Sequence, residues 1–145
     1  MSSWGLWPTA RQRPSKRPPP GVYPETPNAV DIDVVFAGVP VADLERAVEW
    51  YSRFFGRPPD VKVPDVEAMW AVRAGAWVCV LIDGGRAGSA LVMLAVANLD
   101  ALVGALDERG IDHGEIETVP GAGRRAEVAD PDGNAVSFVE VSRTG

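Results

Sequence analysis

Apolar and polar positions along this chain switch between a strand-like and a helix-like period, and they do so twice. Val34-Val-Phe-Ala-Gly-Val39 reads as a strand. Asp43 follows as a helix N-cap, with Glu45 in the first turn where the helix dipole favours an acid. Leu44, Ala47, Val48, Tyr51 and Phe54 with Phe55 then recur at helical spacing. Gly56, Pro58 and Pro59 stop the run. Strands are predicted next near 61–63 and 68–74, and at Trp77-Val-Cys-Val-Leu-Ile82.

The second half repeats that order. Val41-Ala-Asp-Leu-Glu45 is answered 55 residues later by Val96-Ala-Asn-Leu-Asp100. A strand at Ala90–Val96 leads to an Asn98 cap, a buried stripe of Leu99, Leu102, Val103 and Leu106, and a stop at Gly110. Short strands are predicted around 115–118, 124–129 and 135–141. Each half is thus a βαβββ unit. Neither helix can bury its stripe without a sheet, and neither sheet suffices alone, so the two units are expected to pack as one domain.

Composition adds a boundary. Residues 1–30 hold Arg11, Arg13, Lys16 and Arg17 against Glu25, and a proline-dense run from Arg13 to Gly21. Such a segment buries too little apolar surface to offset its ordering entropy, so a disordered tail is expected, with Trp4 and Trp7 unassigned. The domain is expected over 31–145, with modules at about 32–85 and 89–142. The rest of the chain is acidic, which argues against nucleic acid as a partner and mildly favours a neutral or cationic one. No apolar run approaches the roughly 20 residues of a membrane span, and the N-terminus does not read as a secretory signal. Cys79, the lone cysteine, cannot form an internal disulfide, and a cytoplasmic location is expected.

The paired βαβββ pattern, with Asp130-Pro-Asp-Gly-Asn134 before the last strand, resembles the vicinal oxygen chelate superfamily of glyoxalases, extradiol dioxygenases and bleomycin-resistance proteins. The resemblance covers roughly 32–142 and implies an α+β fold, two tandem βαβββ modules whose curved sheet encloses a central cavity. It also implies where metal ligands would sit: Phe36, Cys79, Leu91 and Ser137. A phenyl ring and an isobutyl group cannot donate to a metal, and a thiol and a hydroxyl alone leave a divalent ion short of ligands. No metal, no cofactor and no metal-dependent glyoxalase or dioxygenase activity is therefore expected. A homodimer is implied by the resemblance, since such proteins often share bowls between modules.

Strand parity sorts the side chains. Val34, Phe36, Gly38, Trp77, Cys79, Leu81, Leu91, Met93, Ala95, Ala135, Ser137 and Val139 should line the bowl. Val35, Val78, Val80, Val92, Leu94, Val96, Val136 and Phe138 should pack under the helices. Arg125 and Glu127 alternate toward the bowl, as do Glu67 and Met69 in the first module, with Trp70 under the helix or, in the other register of these short strands, exchanged with Met69. The candidate ligand-binding set is Phe36, Gly38, Trp77, Cys79, Leu91, Met93, Arg125, Ser137 and Val139, and the weak catalytic candidates are Glu67 and Glu127. An apolar, aromatic lining suits a small hydrophobic or aromatic molecule, neutral or cationic. Three readings stay open: a metal-free sequestering protein, a metal-independent lyase or isomerase using a bowl carboxylate, and a structural or regulatory domain with a filled bowl.

Overall fold

A computed structural model describes residues 30–141. The tail expected over 1–30, with Trp4 and Trp7, lies outside the described residues but for Val30. The element order is β1 (Val35–Val41), α1 (Leu44–Phe55), β2 (Val61–Val63), β3 (Glu67–Arg73), β4 (Ala76–Ile82), β5 (Leu91–Ala95), α2 (Leu99–Glu108), β6 (Glu117–Val119), β7 (Gly123–Ala126) and β8 (Ala135–Val141). Two four-stranded sheets result, ordered β1-β4-β3-β2 and β5-β8-β7-β6. In each, the strand before the helix pairs in parallel with the last strand of its module, and the other pairings are antiparallel.

The helices form where the sequence places them. Asp43 accepts a bond from Arg46 N at 3.1 Å and Asn98 one from Ala101 N at 3.0 Å, each satisfying a backbone donor that has no partner within its helix. Gly56 ends α1 in the left-handed region at φ 75°. A side chain there would also collide with the Arg109 guanidinium. That guanidinium donates to Phe54 O at 3.0 Å, while Arg53 reaches Arg109 O and Gly110 O at 3.5 and 3.4 Å. Each helix therefore has its C-terminal carbonyls met by a cation from the other module, the sign the helix dipole favours.

Several boundaries differ from expectation. β1 runs to Val41 rather than Val39 and includes Pro40. Proline is tolerated because β1 is an edge strand with only β4 beside it. β7 ends at Ala126 rather than 129, so Glu127 lies beyond the ladder, and only an isolated Ala129–Ala135 bridge follows. The Gly84–Gly88 linker is a succession of turns, tied by Arg86 N to Asp83 O at 3.2 Å and Ser89 N to Arg86 O at 3.1 Å.

One core joins the modules. It contains Leu44, Ala47, Tyr51 and Phe54 of α1, Leu99 and Leu106 of α2, and helix-facing residues of both sheets, including Val78, Val80, Val136 and Phe138. Phe54 stacks on Phe138 with ring centroids 5.1 Å apart. Val35 has the parity of this set but is exposed. It stands at the first position of a seven-residue strand of about 23 Å, longer than the roughly 18 Å of the twelve-residue helix covering it.

The Asp130–Asn134 turn locks the two modules. Asp130 is buried, and its carboxylate accepts four bonds: from Tyr51 Oη at 2.7 Å, Asn134 Nδ2 at 2.8 Å, and the backbone N–H of Asp132 and Asn134 at 2.9 Å each. Asn134 also donates to Pro40 O at 2.8 Å and accepts from Ala90 N at 2.9 Å, so one side chain touches both edge strands' neighbourhoods. Burial, and then the bond to Asp130, push the Tyr51 hydroxyl well above the usual phenol range, so it remains a donor. Tyr51→Phe removes one donor from a buried carboxylate and is expected to cost about 2 kcal/mol, in line with hydrogen bonds to charged groups. Urea unfolding should register this as a lower midpoint with an unchanged slope. An unaltered midpoint would mean that the turn does not hold the modules together.

Candidate functional site

The helix-free face of each sheet carries the candidate residues. In the first module the register sets out three rows: Phe36, Trp77 and Ala71; Gly38, Cys79, Met69 and Val61; Pro40, Leu81, Glu67 and Val63. Met69, Trp77 and Cys79 form a second buried cluster, separate from the main core, with Val34, Phe36, Val61, Ala71 and Leu81 packed against it. Trp70 lies on the opposite face against Tyr51 and Phe55, as parity predicts. The rings of Phe36 and Trp77 are tilted by 32° at 6.2 Å. Val61 and Ala71 belong to this face although the sequence reading did not place them there; Ala71 could have been found by continuing the parity of Glu67 and Met69.

Among the described residues, two buried side-chain polar atoms in this face have no hydrogen-bond partner. Glu67 is 1% exposed, and its Oε2 accepts no hydrogen bond; the buried Trp77 Nε1 donates none. Leaving such groups unpaired costs roughly 1–3 kcal/mol each, more when charged, so they are uncommon in folded chains. Burial, and secondarily the Glu67 charge, push the Cys79 thiol up to about 12.

The second module presents the matching face differently. Met93 pairs with Ser137, Leu91 with Ala135, and Ala95 with Val139, which pairs in turn with Arg125. Ser137 is buried and Val139 half-buried, but Leu91 is 77% and Met93 63% exposed. Arg125 holds the place in this module that Glu67 holds in the first, opposite the third β8 row rather than the third β4 row. It pairs with Glu117 at 3.4 Å and Glu127 at 3.8 Å in a solvent-exposed group. Glu127 is thus an exposed partner of Arg125, and Glu67 is the buried carboxylate. Because the modules join through their helix-bearing faces, the two helix-free faces do not close on each other within one chain. The bowl-side cluster accordingly contains first-module residues alone.

The four positions that the superfamily uses for metal do not suit one. Phe36 and Leu91 have no donor atom, the Cys79 thiol stays protonated far above neutrality, and Ser137 is a neutral hydroxyl. Phe36 and Cys79 are also on one module's face and Leu91 and Ser137 on the other's. Among the described residues, no group of three His, Cys, Asp or Glu side chains is placed to hold an ion. His113 lies elsewhere, between Gly114 O at 2.7 Å and Asp107 Oδ1 at 2.8 Å. The carbonyl, and then the carboxylate, raise its pKa by favouring the imidazolium.

Other charges are structural. Glu140 accepts from Leu99 N at 2.8 Å and pairs with Arg124, which also binds Asp100. The Leu99 N–H, and then Arg124, hold the Glu140 carboxyl below the usual range. A shallow depression of about 340 Å³ beside Val119, Pro120, Arg124 and Glu140 lies off the bowl faces, and these pairs already neutralise its charges.

Two βαβββ half-bowls on one shared core define an α+β protein of the paired-module class. A family model for the Glyoxalase/Bleomycin resistance protein/Dioxygenase superfamily matches residues 32–138, and the chain belongs to that superfamily. Among solved structures it is similar to a glyoxalase/bleomycin resistance protein from Catenulispora acidiphila DSM 44928, at 33% identity and TM-score 0.70, covering 75% of this chain and 98% of that one. TnmS3, an antibiotic binding protein from Streptomyces sp. CB03234, is 26% identical with TM-score 0.67, over 79% of this chain and 99% of the other. The fold is shared with the bleomycin resistance determinant encoded on transposon Tn5, at 16% identity, TM-score 0.65, and 77% and 99% coverage. No match is found among curated proteins. Among the described residues, no helix is long and apolar enough to cross a membrane.

The Cys79 thiol gives a direct check on the burial of this face. Native protein at pH 8 is expected to resist Ellman's reagent, with one thiol per chain reacting after urea unfolding. Rapid labelling of the native state would mean that the bowl-side cluster is open to solvent.

Proposed function

We propose that this chain is a metal-free small-molecule-binding protein of the bleomycin-resistance type, acting in the cytoplasm as a homodimer. Its ligand is a small hydrophobic or aromatic molecule held on the first module's helix-free face. The observation that carries this reading is the contrast between the two faces. One gathers Phe36, Trp77, Met69 and Cys79 into a buried apolar cluster, and the other leaves Leu91 and Met93 standing in water. Two large apolar side chains side by side on an edge strand favour burial against a partner. A second copy supplies one by symmetry, its first module facing this chain's second, which produces two equal bowls per dimer. The antibiotic-binding description of TnmS3, together with the likeness to it, adds support for a ligand of drug-like chemistry.

A second reading keeps Glu67 as a metal-independent acid or base. Its support is the unpartnered Oε2. Nothing beside it on the face supplies a second catalytic group, since the Cys79 thiol is held protonated. Binding is the better-supported reading.

Two measurements test this. Trp77 fluorescence should be quenched by members of a panel of aromatic drugs, and the quenching should disappear in Trp77→Phe. Quenching that survives the substitution would place the ligand elsewhere. Sedimentation should give a dimer for the native chain and a monomer for Leu91→Asp/Met93→Asp. A native monomer, or a variant that still dimerises, would remove the shared bowl.

A further inference from the structure

We propose that Glu67 and Trp77 are the two polar anchors of the ligand site, and that they select a flat aromatic bearing a cationic N–H group at one end and a hydrogen-bond acceptor at the other. The inference deepens the binding reading above and rests on it.

Glu67 and Trp77 are both bowl-facing, because Glu67 pairs with Leu81 and Trp77 with Ala71 on the same β3–β4 ladder. Four residues of strand separate their rows, about 13 Å along the sheet. The Met69–Cys79 row fills the distance between them with apolar surface, Leu81 stands opposite Glu67, and Phe36 lies beside the indole. The order along the face is therefore carboxylate, apolar floor, aromatic ring and indole N–H. Both terminal polar atoms are buried and lack a partner.

The polarity of the two orphans is opposite. A carboxylate oxygen can only accept from a donor, and it is best satisfied by a charged, forked N–H group such as an amidinium. An indole N–H can only donate, so it needs an acceptor. Neither can satisfy the other across the Met69–Cys79 row. A ligand with a donor cation at one end, an acceptor at the other and a ring system between meets both. Phe36, Val34 and Leu81 are half-buried and form the rim, while Met69 is the unbranched side chain best able to repack around an occupant. The corresponding position in the second module holds Arg125, already paired with Glu117 and Glu127, so the selectivity comes from the first module alone.

The test uses 6-amidino-2-naphthol as probe and 2-naphthol as its uncharged counterpart, with affinities read from Trp fluorescence and calorimetry on the full chain. The amidine should bind the native protein roughly ten- to a hundredfold more tightly than 2-naphthol, the range expected for a charge-assisted bond. In Glu67→Gln that preference should fall to near unity, because a neutral amide offers the amidinium no opposite charge. Glu67→Leu should lose the preference and melt at a higher temperature than the native chain, because it removes a buried oxygen that has no hydrogen-bond partner. If 2-naphthol binds and the amidine holds no advantage, or keeps it in Glu67→Gln, the anchor assignment fails and the aromatic site stands. If neither compound binds, the aromatic site fails, and the anchors with it.

Discussion

The buried carboxylate of Asp130 is the constraint around which this molecule is arranged. Taking an ion of that size out of water costs several kcal/mol, which is recovered only when its oxygens are fully bonded. Here each oxygen accepts two bonds, from Tyr51 and Asn134 on one side and from two backbone N–H groups on the other. Tyr51 belongs to the first module and the turn to the second, so the charge is satisfied only when the modules are docked. Asn134 extends the same network to Pro40 and Ala90, the end of one edge strand and the approach to the other. The helix-bearing faces are consumed by this junction. The helix-free faces then point away from that junction, and each carries its own set of side chains.

A second buried carboxylate makes the opposite case. Glu67 is as deeply placed as Asp130, yet one of its oxygens has no bond. A chain selected for stability alone would replace it with leucine or methionine, which would extend the surrounding apolar cluster. Its presence is a local cost offset by the rest of the fold, and such costs concentrate where binding occurs. The two acids therefore differ in kind: one is saturated and ties the modules together, and the other keeps an oxygen without a bond.

The repeat, both helices and the facing of nearly every strand residue were legible because they depend on local periods. Asp43, Asn98 and Gly56 act at the helix ends as their types require. Alternation put Trp70 and Met69 on opposite faces but left their exchange open, and the contacts of Trp70 with Tyr51 and Phe55 decide it. What lay outside the sequence reading was non-local. Asp130 looked like a turn residue, and its bond to Tyr51, 79 positions away, leaves no periodic trace. The reciprocal capping by Arg53 and Arg109 is equally silent, since basic residues near helix ends are common. Leu91 and Met93 have the expected parity, but parity names a face without saying what that face meets.

The missing metal donors and the outward-turned faces are physically connected. A four-ligand shell drawn from both modules needs the two faces held opposite each other to within a few tenths of an ångström, because metal–ligand distances tolerate little error. In this chain Phe36 and Cys79 stand on one face, Leu91 and Ser137 on the other, and no strand of one module bonds to a strand of the other. Apolar contacts and single hydrogen bonds are far more forgiving of such geometry than coordination is. A site built on one rigid sheet, with anchors on adjacent strands of the same ladder, needs no accuracy at all between modules to set its own selectivity. On β3 and β4, Glu67, Cys79 and Trp77 are fixed relative to one another by the backbone pairing of a single ladder.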